Sequence, residues 1–175
     1  MADTQKPGRV GPIVSSAHLA VPGAEEQSEL EFGLIIANNA FERWIVRCMA
    51  AAGVPDLSAL DVLVLHSINH RGRARKMADI CFVLNVEDTH TVVYALKKLE
   101  KLGLVRGERR GKEKFFLIAA KGRTACERYS KIREKCLLRS MTALGGQHPE
   151  TGKSAELLRM ISGLYDQAAR AAASL

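Results

Sequence analysis

The stretch 77–118 most constrains what this chain can become. It reads MADICFVLN, then VEDTHTVVYALKKLEKLG, then LVRGERRGKEKFFLI. Apolar residues at helical spacing predict a helix over roughly 75–84, with Asn85 as its left-handed stop. Asp88 is a candidate N-cap for a second helix that extends to Leu102 and ends at Gly103. Two short strands are predicted at 104–109 and 114–119, turning at Gly111 and Lys112. Helix, bend, helix and hairpin, in that order, make a winged helix-turn-helix. In that arrangement the second helix is the element able to enter a DNA groove.

The flanking sequence is helical. Leu34, Ala37, Phe41, Ile45 and Cys48 form one stripe of a long first helix that Gly53 and Pro55 end. A second helix begins at Ser58, with Asp61 three residues on as a capping-box partner. Residues 69–75 form a basic connector. After the hairpin a helix over 121–144 carries Ala125, Tyr129, Ile132 and Cys136 on one stripe. A break at 145–149 precedes a last helix at 153–172, with Leu157, Ile161, Leu164 and Ala168 in register. Residues 1–28, rich in Pro, Gly and Ser, read as a flexible tail. The expected fold is mainly α (α+β), one domain over 29–175 with its core at 57–119.

Charge is concentrated on the same stretch. Residues 69–135 hold 18 Lys and Arg against 8 Asp and Glu, a local net of +10, whereas the rest of the chain is net −3. A basic block that coincides with a docking element is the footprint of a polyanion partner. No apolar run reaches membrane-spanning length and no secretory signal is read, so a cytoplasmic protein without membrane contact is expected. The cysteines at 48, 81, 126 and 136 lack metal-ligand spacing and read as small buried apolar residues. His66 and His70 are one turn apart but have no third ligand nearby, so neither a metal nor a cofactor is expected. No nucleophile–base pair, phosphate loop or paired carboxylates point to an enzyme.

On a helix over 88–102, Val92, Ala95, Leu96, Leu99 and Leu102 share one face. Thr89, His90, Thr91, Tyr94, Lys97, Lys98 and Lys101 occupy the other. Hydrogen-bonding groups at its start would reach base edges and the lysines would meet phosphates. Arg109, Arg110 and Lys112 at the hairpin tip would follow the adjacent backbone or minor groove. Glu87 and Asp88 sit where DNA would approach, and their expected task is to serve the helix N-terminus and its dipole.

The segment TVVYALKKLEKLGLVR (91–106) resembles the recognition-helix ending of the multiple-antibiotic-resistance regulator (MarR) family, and AAKG (119–122) resembles that family's entry to its next helix. The resemblance covers the order of elements from about 28 to 173. It implies a bacterial transcriptional regulator that binds double-stranded DNA as a homodimer, with 29–53 and 121–173 as the dimerisation helices. It also implies a small aromatic ligand between the dimer arms and the core, where Phe41, Trp44, Arg43 and Arg47 stand as candidates. The sequence departs from the family at Tyr94, where a basic residue is common, and in its short wing. The alternative is a winged-helix module that docks another protein without specific DNA binding.

Overall fold

The computed structural model describes residues 22–143 and 149–175. Most of the expected tail and of the expected break at 145–149 lies outside the described residues. Helix α1 (Glu25–Ala51) begins earlier than its apolar stripe suggested, because Glu25 and Glu26 in its first turn complement the helix dipole. Helix α2 (Ala59–Asn69) opens with the expected capping box. Ser58 Oγ accepts from the Asp61 N–H at 3.2 Å, and Asp61 Oδ2 accepts from the Ser58 N–H at 2.8 Å.

The basic connector resolves into a 3₁₀ turn (His70–Gly72) and a two-residue strand, β1 (Arg75–Lys76). This corrects the predicted start of the next helix, since α3 (Met77–Leu84) begins two residues later. Residues 75–76 instead add a third strand to the hairpin by pairing with Phe115 and Phe116. Asn85 ends α3 in the left-handed conformation (φ 51°, ψ 46°). Asp88 then caps α4 (Thr89–Lys101) by accepting from the His90 N–H at 3.0 Å.

Strands β2 (Val105–Arg110) and β3 (Glu113–Ile118) are antiparallel, and the sheet order is β1-β3-β2. The hairpin is tighter than predicted: Arg110 pairs with Glu113 across the two residues Gly111 and Lys112. Gly111 has φ +63°, which an L side chain rarely adopts and a two-residue hairpin turn requires. Helix α5 (Ala120–Arg133) packs its first turn against the start of β2. A Cβ on Gly122 would collide there with the Leu104 carbonyl oxygen.

Ile45 and Met49 of α1, Val62, Leu65 and Ile68 of α2, Ile80 of α3, and Val92, Leu96 and Leu99 of α4 are buried together with Leu104 and Phe116. Burying such side chains contributes about 1.5–3 kcal/mol each, which fixes α4 on the preceding helices. The stripe predicted on 121–144 breaks at a π turn (Glu134–Leu138), after which α6 (Arg139–Ala143) follows. Ala125 and Tyr129 are buried, but the wider turn rotates Cys136 outward, so this cysteine is exposed. The contacts of helix α7 (Pro149–Ala172) with the rest of the chain include Asn85 to Asp166 (3.2 Å), Gln27 to Tyr165 (3.1 Å) and Tyr165 to Glu31 (3.1 Å). Its Leu158, Met160 and Leu164 stay exposed, as do Ile35, Ile36 and Phe41 of α1.

Candidate nucleic-acid interface

Helix α4 divides into two faces as its spacing requires, except that Leu102, expected on the apolar face, is the C-cap and stays exposed. Val92, Ala95, Leu96 and Leu99 are buried, while Thr89, His90, Thr91, Tyr94, Lys97 and Lys101 are exposed. Tyr94 leaves 70 % of its surface open, and the Lys97 ammonium sits 5.8 Å from its ring centroid. Thr91 Oγ donates to the Asp88 carbonyl at 2.7 Å, so its hydroxyl closes the first turn and its methyl group is left to face outward. Both Asp88 contacts serve the helix start, which accounts for an acid at this edge.

Lys98 does not join that stripe. Its ammonium donates to the Asp56 carbonyl at 2.6 Å and to Asp61 Oδ2 at 2.8 Å. Asp61 is only 6 % exposed at its side chain, so one carboxylate both caps α2 and ties α4 to it. Lys98 therefore positions the helix instead of offering a charge to a phosphate.

The wing divides its arginines by face. Arg110 donates to Glu108 at 2.9 Å and stacks 4.9 Å from the Phe115 ring, and that hydrogen bond holds the Glu108 carboxyl below its ordinary range. Arg109 lies on the opposite face, across from Lys114. Among the described residues neither Arg109 nor Lys112 has a partner, and both are exposed. Lys114 was not singled out in the sequence, yet it donates to Glu100 of α4 at 2.8 Å and braces the wing against the helix. Arg106, exposed on the Arg110 face, is another cation that sequence reasoning passed over.

The proposed ligand residues separate. Phe41 lines a cavity of about 490 Å³ with Ile45, Leu63, His66, Tyr129 and Arg133, between α1, α2 and α5. Trp44 instead packs half-buried against the core, and Arg47 is exposed and lines no part of this cavity. Cys126 stands on the cavity wall, where burial pushes its thiol up to about 11.

Helices α2, α3 and α4 with a three-stranded sheet, whose β2–β3 hairpin forms a short wing, define a winged helix-turn-helix. Residues 57–122 match the family described as the winged helix DNA-binding domain. Comparison with curated protein sequences finds no match. Among solved structures the chain is similar to reduced AbfR of Staphylococcus epidermidis bound to DNA, at 18% identity and a TM-score of 0.66, covering 83% of this chain and 99% of that one. CouR from Rhodococcus jostii, bound to p-coumaroyl-CoA, is 15% identical with a TM-score of 0.60, over 75% of this chain and 90% of that one. A cysteine-to-serine mutant of MarR from E. coli is 18% identical with a TM-score of 0.56, over 75% and 95%. The chain has the fold of these proteins, as the resemblance to the MarR family implied.

Proposed function

We propose that the protein is a sequence-specific DNA-binding transcriptional regulator that acts as a homodimer. Helix α4 enters the major groove and the wing lies along the adjacent backbone or minor groove. The observation that carries this is the outward face of α4. Its polar residues open to solvent, the unpaired Arg109 and Lys112 stand exposed on a wing that Lys114 braces against Glu100 of the same helix, and the opposite face is locked into the core. Asp88, an acid where DNA would approach, is committed to the α4 cap, which weakens the case for a protein-docking module. DNA bound to AbfR supports the same partner here.

Selection from a random duplex pool, followed by gel shift on the recovered site, tests it. The expected outcome is a preferred pseudo-palindrome, bound with a steep salt dependence. Tyr94→Ala and Arg109→Ala should each weaken binding, the tyrosine variant relaxing preference at one position by roughly 1–3 kcal/mol if it reads a base edge. Absence of selected sequences, with both variants silent, would sink the proposal. The cavity behind Phe41 suits a small aromatic acid, with the ring against Tyr129 and the carboxylate toward Arg133. Repeating the gel shift with p-coumarate or its coenzyme A thioester present tests that ligand class, and unchanged binding speaks against it.

A further inference from the structure

We propose that a cleft beside α3 is an oxyanion site, in which Arg75 and Arg73 hold a phosphate group. Arg75 belongs to β1 and stands opposite Phe116, on the face of the sheet turned to the core. It is only 8 % exposed, and its Nε is buried without a hydrogen-bond partner. Among the described residues no carboxylate pairs with its guanidinium. A guanidinium cannot shed its charge near neutral pH, and burying a charge without a partner is strongly unfavourable. An anion in the adjoining cleft would supply the missing counter-charge.

The cleft, about 380 Å³, is shaped for one. Arg73 and Arg75 line it together with Ala74, Asp79, Phe82 and Val83. One carboxylate also lines it: Asp79, whose Oδ2 accepts the Lys76 N–H at 3.3 Å at the start of α3, against two guanidinium charges. Two guanidinium forks present paired N–H groups that match the oxygens of a phosphate. Phe82, 87 % exposed, and Val83 give an apolar wall for the organic part of a phosphate ester. The phosphate can come from the backbone of bound duplex or from a free phosphorylated ligand, and the first source rests on the DNA-binding function proposed above.

Two measurements on the full chain separate the sources. The first is the melting temperature in inorganic phosphate against chloride at matched ionic strength. A rise that grows with phosphate concentration, and is lost in Arg75→Met, supports the site as a binder of free phosphate. The second is the slope of log K against log salt for a selected duplex. A fall of about 0.9 in its magnitude in Arg75→Met supports capture of one backbone phosphate. If Arg75→Met does not fold, Arg75→Lys and the exposed Arg73→Met take its place, and the wild-type phosphate titration needs no variant. No phosphate-specific rise together with an unchanged slope overturns the proposal. Because the phosphate arm requires no DNA, failure of the DNA-binding function alone leaves it standing.

Discussion

The imidazole of His66 lies edge-on to the Tyr129 ring, centroids 4.5 Å apart, with its Nε2 buried and unpartnered. Burial lowers its pKa below the ordinary histidine value of 6.5, because the charged form loses hydration. In the unfolded chain the same group takes a proton near pH 6.5, so below that value the unfolded state binds more protons than the folded one. Stability should therefore fall as pH drops from about 7 through the unfolded pKa and on to the lower folded one. His66→Phe should flatten that part of the profile, as melting temperatures between pH 7.5 and 5.5 would reveal; an equally steep wild-type and variant profile would contradict it. Ser58 with Asp61, Asn85 and Asp88 were legible in the sequence because the capping role of each is set within four residues. Lys98 was not, because its partners Asp56 and Asp61 lie 42 and 37 residues away. Helical spacing alone places it beside Lys97 and Lys101 on a solvated flank.

At the scale of elements, α2, α4 and the hairpin could be read from caps, apolar period and turn residues. Strand β1 could not, since two residues carry no periodicity and form a strand only because β3 lies beside them. The π turn escaped for a related reason: nothing in EKCLL marks a wider turn, and an unbroken α period misplaces Cys136. The β2–α5 junction was legible only as a motif, and the structure supplies its physics. A methyl group at position 122 would meet backbone, which cannot move aside as a flexible side chain would. Gly122→Ala should cost about 1–3 kcal/mol as an overpacking substitution, measured by urea denaturation. A change below 0.5 kcal/mol would mean that the junction relaxes freely.

Among the described residues, a basic core segment is joined to two long helices that carry exposed apolar side chains. Ile35, Ile36 and Phe41 on α1, with Leu158, Met160 and Leu164 on α7, exceed what scattered surface apolar residues need explaining. A second copy covering them is the expected state, with sedimentation giving twice the monomer mass of 19.1 kDa. Leu158→Glu together with Ile36→Glu should yield monomers that keep the helical content of the wild type but bind DNA far more weakly. A monomeric wild type would refute the dimer. No helix among the described residues is long and apolar enough to cross a membrane, so these faces do not read as spanning segments.

The five residues from Glu134 to Leu138 act as a vernier between the two halves of the chain. Each residue of an α-helix advances the screw by about 100°, and the wider turn changes that count at one place. Losing a single residue there would swing α6 around the axis of α5 while leaving α4 and the wing untouched. In the proposed dimer, the angle at which two copies present their α4 helices would then depend on a short stretch of backbone outside both α4 and the wing. In the proposed regulator, gain or loss of one residue in this turn is expected to retune operator geometry without altering any side chain of α4.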